Sequence, residues 1–269
     1  MMKHRLILPF SFAMALLMVS PQAAQSQSNK GENTRRYVVT SVKGKFLTVD
    51  STFDRKHNME AENVLLTYKK KVEEVMSTQI GTSAQMMKAA ERANPEGLLS
   101  NLIADVIRSK GSEILDKSCD MALMNIGGIR SILPKGKITV ANIYEILPFE
   151  NTISVVVLNG TQLMELMKEI VRYGGGVSGV SMVVSKEPLR LIDATVGGQP
   201  IKAEKNYTVA TLNYLAEGND GFKVFADKGV KHINREDVLV RETFMQYVKT
   251  QTKLGKEVES KIGGRVVFQ

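Results

Sequence analysis

Two short runs near the start alternate apolar and polar positions, RYVVTSV from Arg36 and KFLTVD from Lys45, with Lys43-Gly44 between them. A period of two broken by a glycine turn predicts a hairpin. The period then lengthens. From Glu60 to Met76, residues Val64, Leu65, Tyr68, Val72 and Val75 recur at helical spacing, which predicts an amphipathic helix. A short strand is expected between Gln79 and Met86. The pairs Leu98-Leu99, Leu102-Ile103 and Val106-Ile107 repeat every four residues, so a second helix is expected there. Asn94 is its expected N-cap, Pro95 its first position and Gly111 its stop.

The all-apolar run in CDMALMN from Cys119 predicts a strand covered on both faces that runs into Gly127-Gly128. Thr139 caps a short helix that must end before Pro148. Strand Thr152 to Leu158 follows, then a helix from Gln162 to Tyr173 closed by Gly174 to Gly176. Further strands are expected at Val180 to Val184, Leu189 to Val196 and Tyr207 to Leu212, with Gly197-Gly198 as a hairpin turn. A last helix is expected from Arg235 to Thr250. Strands and helices alternate without the regular beat of a doubly wound parallel sheet. The fold class is therefore α+β, a mixed β-sheet with flanking helices, in one domain over residues 36–269.

Composition changes the picture at the two ends of the argument. The chain has 269 residues, 43% hydrophobic and 24% charged, which suits an ordinary globular domain. Residues 1–24 open with Lys3, His4 and Arg5, continue with an apolar run from Leu6 to Val19, and close on Ala23 and Ala24. This is the pattern of a cleaved secretory signal, with an uncleaved anchor as the alternative, so the expected location is periplasmic or secreted. Residues 25–35 are polar and read as a flexible leader. The formal net charge is +8, and removal of the signal leaves 34 basic against 28 acidic side chains. That balance suits anionic ligands. Scattered basic residues and 6% aromatics argue against nucleic acid as a partner. The single cysteine, Cys119, reads as a small buried hydrophobe beside a strand.

Three segments carry candidate chemistry. In NIGGIR, from Asn125 to Arg130, Gly127 and Gly128 let the backbone bend and bring N–H groups to a ligand, while Arg130 supplies a permanent cation for phosphate. A tight turn with a solvated arginine is the alternative. In LPFENT, from Leu147 to Thr152, Phe149 either fills the core or offers its face to a base, with Asn151 beside it. In NYLAEGNDGF, from Asn213 to Phe222, Tyr214 can stack and Asp220 can accept hydrogen bonds from sugar hydroxyls. A plain Asx-type turn is the other reading of that loop.

Taken in this order, the three segments resemble the signature of the 5′-nucleotidase C-terminal domain, usually NGGGIR, a PFGN-like corner and a YL-x-x-GGDGF-like loop. The resemblance extends through SNLIADVIR from Ser100, LNGTQLMELM from Leu158, VSGV from Val177 and GGRVV from Gly263, and covers Tyr68 to Gln269. It implies that Phe149 and Tyr214 clamp a base, Asp220 holds the ribose hydroxyls, Arg130 neutralises phosphate and Asn125 bonds nearby. Gly127, Gly128, Asn151 and Asn213 complete the implied nucleotide site. Stacking tolerates any base, so a broad nucleotide preference follows. Ile126, Glu150 and Asn219 stand where the family has glycine. The arginine that relatives carry before the SNL-type helix is absent, with Arg92 nearby.

The resemblance also implies a separate N-terminal domain whose two metal ions perform the hydrolysis. No Asp-x-His, Asn-His-Glu/Asp or Gly-His-x-His segment occurs, and beyond the signal the histidines are His57 and His232, in no ligand spacing. The expected role is the nucleotide-binding component of an exported 5′-nucleotidase, with no cofactor on this chain and divalent metals on a partner metallophosphatase. The alternative is a non-catalytic exported nucleoside- or nucleotide-binding protein.

Overall fold

The structure is a computed structural model, and it describes residues 39–51, 58–91 and 94–269. The signal, the leader, the beginning of the first expected strand, His57 and Arg92 lie outside the described residues. Met1–Lys56 and His57–Gln269 form separate compact units.

In the first unit the expected hairpin is not found, because residues 39–50 form no strand. Val39, Val42, Phe46, Leu47 and Val49 are all exposed, so the alternation has no surface to bury its apolar face against. A two-stranded hairpin without such a surface is marginal in water.

The second unit opens with α1 (Met59–Met76), capped by Asn58, whose side-chain oxygen accepts from the Ala61 N–H. β1 (Gln79–Ser83) follows and pairs antiparallel with β3 (Gly136–Thr139). Between them run α2 (Leu98–Leu115) and β2 (Met121–Met124). Helix α2 begins three residues later than expected and ends four residues beyond Gly111. At its start, a Cβ on Gly97 would run into the Ala89–Ala90 backbone, so this glycine occupies the N-cap. Asn94 instead closes a turn through paired backbone bonds with Glu91, and Pro95 lies in that connection. Gly111 does not stop the helix. A Cβ there would stand 2.6 Å from the Ala210 side chain, so the glycine permits a close approach of α2 to its sheet. Asp116, at φ 50°, provides the left-handed end.

Helix α3 (Val140–Ile146) starts with a capping box between Thr139 and Asn142, and α4 (Gly160–Tyr173) with one between Asn159 and Gln162. β4 (Thr152–Asn159) lies between them, and β5 (Gly176–Ser178), β6 (Val180–Lys186), β7 (Leu189–Val196), β8 (Gln199–Pro200) and β9 (Asn206–Leu212) come after. Gly197 and Gly198, both at positive φ, make the β7–β8 turn. The chain closes through α5 (Asn213–Ala216), β10 (Lys231–Leu239), α6 (Val240–Lys253) and β11 (Val266–Phe268). The expected final helix from Arg235 is a strand for its first five residues. Lys231 to Arg235 pair along β4, and the ladder regains Leu239 opposite Thr152 after a register shift.

Five strands form one sheet in the order β10-β4-β9-β2-β5, in which only β9 and β2 run parallel, and four form a second, β11-β6-β7-β8. Both sheets are mixed, as the α+β reading expected. Cys119 is buried and unpaired, and burial raises its thiol pKa. Among the described residues, no helix is long and apolar enough to cross a membrane.

Candidate functional site

The three segments meet at one end of the five-stranded sheet. Strand β2, buried at all four residues, delivers Asn125 to a single 3₁₀ turn over Ile126–Gly128. The two glycines there do different work. A Cβ on Gly128 would stand 2.6 Å from Asn125 Oδ1 and 2.7 Å from Met124 Cε, whereas Gly127 has nothing within 4 Å. The turn also offers fewer amides than expected, because the Gly128 N–H is bonded to Asn125 O and the Ile129 N–H to Ile126 O. The Arg130 N–H holds Ile146 O at 2.9 Å, and its exposed guanidinium donates to Gly127 O at 3.2 Å. That one bond leaves most of its five N–H donors for other acceptors.

Helix α3 ends at Ile146 ahead of Pro148, and the chain turns a corner into β4. Phe149 is 49% exposed at that corner, so it does not fill the core. Asn151 is half-buried, and its carbonyl accepts from the Val240 N–H at 3.0 Å. The Thr152 N–H donates to Asn213 Oδ1 at 3.0 Å, which ties the corner to the third segment and engages the Asn213 oxygen. Gly128, Phe149 and Asn151, with Met124, Leu212 and Val240, surround a hollow of only about 10 Å³. A broader hollow of about 770 Å³ is bordered by Ile126 and Tyr173.

In the third segment Asp220 sits at φ 54°, ψ 20°, a left-handed conformation tolerated by a short polar side chain. Its Oδ2 accepts from Asn125 Nδ2 at 2.6 Å and its Oδ1 from the Tyr214 hydroxyl at 3.0 Å. The carboxylate thus reaches across the site rather than closing an Asx turn. Each of its oxygens keeps a lone pair for another donor. The hydrogen bond to Asp220, reinforced by its charge, raises the Tyr214 pKa above its ordinary value and fixes the ring, which is 38% exposed. Asn125 Oδ1 is buried and has no hydrogen-bond partner. Such an orphan costs about 1–3 kcal/mol, and a ligand donor would remove that cost.

Of the three residues that stand where the resembled family has glycine, Asn219 braces this surface, its Nδ2 donating to Tyr214 O at 2.8 Å, while the exposed Glu150 stands 3.8 Å from Arg241. Two further residues of the site carry no signature in the sequence. Tyr173 packs edge-on against Phe222, with centroids 6.1 Å apart, and a Cβ on Gly221 would stand 2.5 Å from its ring. Glu169 accepts from the backbone N–H groups of Lys223 and Val224; burial, partly offset by those bonds, raises its pKa. Neither has a local motif, since each acts on a loop about fifty residues away. Among the described residues, no group of three or more His, Cys, Asp or Glu could hold a metal ion.

Comparison with known proteins gives this geometry a family context. The family described as 5′-nucleotidase, C-terminal domain, matches residues 79–227. The Trifunctional nucleotide phosphoesterase protein YfkN of Bacillus subtilis is 30% identical over 226 residues, 78% of this chain and 15% of its own length. The human 5′-nucleotidase is 29% identical over 177 residues, 56% of this chain and 31% of its own. In three dimensions, the 5′-nucleotidase precursor from Thermus thermophilus superposes with a TM-score of 0.67 and 30% identity, covering 78% of this chain and 43% of that one. The chain spans less than half the length of each.

Proposed function

We propose, from the premise that this chain belongs to the 5′-nucleotidase C-terminal domain family, that it is the nucleotide-binding component of an exported 5′-nucleotidase whose metallophosphatase is a separate chain. One observation carries this reading. Asn125, Asp220 and Tyr214 form a single hydrogen-bonded network, flanked by an exposed aromatic corner at Phe149 and an exposed guanidinium at Arg130. Phe149 and Tyr214 are both exposed, as suits rings that offer their faces to a base. Phe149 and Tyr214 provide the stacking faces, Asp220 takes the ribose hydroxyls, and Arg130 meets the phosphate. Asn125 and Gly128 set the floor, while Asn151 and Asn213 fix the corner. Transfer of the phosphoryl group to water requires an activated nucleophile and a stabilised leaving oxygen, which two metal ions on the partner would supply.

The test is phosphate release from AMP, measured with the purified chain and Mn²⁺ or Zn²⁺, then repeated with exported metallophosphatases added. Release is expected only with the correct partner. Robust turnover by the chain alone removes the need for one, and binding of AMP without turnover under any condition leaves a non-catalytic binder.

A further inference from the structure

The corner that carries Phe149 has a structural problem. A half-exposed ring cannot hold itself in place by burial, so its position depends on the backbone beneath it. That backbone lies where a helix ends, and the last carbonyls of a helix have no partners within it. Pro148 adds a carbonyl and brings no N–H. The structure answers with donors from outside the corner. Arg130 N–H takes Ile146 O, Val240 N–H takes Asn151 O, and the two carbonyls that follow Ile146, Leu147 O and Pro148 O, both receive Arg241 Nη1, at 3.4 and 3.1 Å.

Arg241 is an unusual residue in this position. It lies in the first turn of α6 and is only 6% exposed. Its guanidinium carbon lies 4.3 Å from the centre of the Tyr144 ring on α3, and its nearest carboxylates, Glu150 and Glu242, are 3.8 and 3.7 Å away. Its Nε has no hydrogen-bond partner. Burying a guanidinium with so loose an ion pairing is costly, and an apolar residue of similar size would fill the space more cheaply. With the guanidinium lying over the Tyr144 ring, its single Nη1 donates to two successive carbonyls.

We infer that Arg241 is the positioning residue of the stacking corner: it clamps Leu147 and Pro148 so that Phe149 presents its ring at the nucleotide site. The inference rests on the reading of Phe149 as a base-stacking face. It adds a residue that touches no ligand and whose effect on binding passes through Phe149.

The chain contains no tryptophan, so F149W places a single emitter at the corner. With the full chain, steady-state anisotropy of that emission is measured without ligand, in the Arg241 parent and with Arg241→Gln or Arg241→Lys. Titrations of AMP, adenosine and ribose 5-phosphate are then run on Arg241→Gln, Phe149→Ala and the double variant, with Arg241→Lys substituted if Arg241→Gln does not fold. Loss of the clamp is expected to lower the anisotropy. It should weaken AMP and adenosine by a similar factor, about tenfold, and leave ribose 5-phosphate within twofold. In the Phe149→Ala background the further effect on AMP should be less than twofold, because the ring it positions is gone. Unchanged anisotropy and unchanged affinity in a folded Arg241 variant overturn the inference. So does a loss that is as large in the Phe149→Ala background as in the parent. If the stacking reading itself is wrong, Phe149→Ala alone leaves adenosine affinity unchanged; the two failures are thereby told apart.

Discussion

Two helices of the same 18-residue length, α1 and α2, carry apolar stripes at helical spacing, but their fates differ. In α2 nine residues are buried, among them Leu99, Leu102, Ile103, Val106 and Ile107, which pack on the five-stranded sheet. In α1 none is, and Val64, Leu65, Tyr68, Val72 and Val75 all stand exposed. Amphipathic spacing therefore states which face of a helix is apolar, and the fold decides whether anything covers it. The difference extends to the site. Phe149 and Tyr214 are also large exposed rings, but they stand beside polar groups and braced backbone, where α1 presents a bare stripe.

The largest effect should come from removing cover. Leu99 is fully buried, and Leu99→Ala should lower stability by about 2–5 kcal/mol in denaturant unfolding. A loss under about 1 kcal/mol would mean that α2 is held less by its packing than its burial indicates.

Next come the exposed residues of the site, which should matter for binding and little for folding. Arg130→Ala should weaken AMP by about 1.5–3 kcal/mol, the range for a hydrogen bond to a charged group, with adenosine much less affected. Equal losses for both ligands would assign Arg130 to shaping the turn. Phe149→Ala should weaken AMP and adenosine alike by about 1–3 kcal/mol with an unchanged melting temperature. A fall in melting temperature with affinity intact would return Phe149 to the same class as Leu99.

A smaller effect is expected just before α2. Burial raises the Glu96 pKa, but bonds from Asn101 Nδ2 and from the backbone N–H groups of Val266 and Gly263 outweigh it and leave the pKa lowered. A carboxyl with a depressed folded pKa contributes stability above its unfolded value, and that contribution is lost as pH falls through the folded value. Glu96→Gln should thus destabilise the chain near neutrality, with the difference from the parent shrinking below about pH 4. Amide exchange at Val266 to Phe268 should show the same acid loosening. A difference that persists undiminished in acid would rule out the carboxylate as its cause.

How much of this was legible in the sequence depended on whether the deciding contact was local. The strands at β2, β4, β6, β7 and β9 and the helices α1, α3 and α4 announce themselves through period, caps and glycine turns within a few residues. Glycines whose role is a close approach carry no local mark of it. Gly111 looks like a helix stop and is a packing gap against Ala210, ninety-nine positions away, while Gly97, pressed against the Ala89–Ala90 backbone, takes the cap position that Asn94 suits by type. The second half of β10, from Arg235 to Leu239, reads as helix in the sequence because its stabilising partner, β4, lies far back in the chain. At the site, Asn125, Tyr214 and Asp220 came from motifs, and the structure joined them. Arg241, Tyr173 and Glu169 have no motif of their own, since each serves a loop distant in sequence.

The smallest expected effect is the one that most directly tests the contrast between the two helices. Val72 lies in the middle of α1 and is 52% exposed, so truncating it removes little area from contact with other apolar groups. Alanine is also the better helix former, because a β-branched side chain loses rotamer freedom against the preceding turn. The two terms oppose each other and both are small. Val72→Ala should therefore change stability by no more than about 0.5 kcal/mol in either direction, against the several kcal/mol expected at Leu99. The same denaturation experiment on both variants makes the comparison on one scale. If Val72→Ala costs more than about 1 kcal/mol, the stripe on α1 is covered in solution, and the two helices are alike after all.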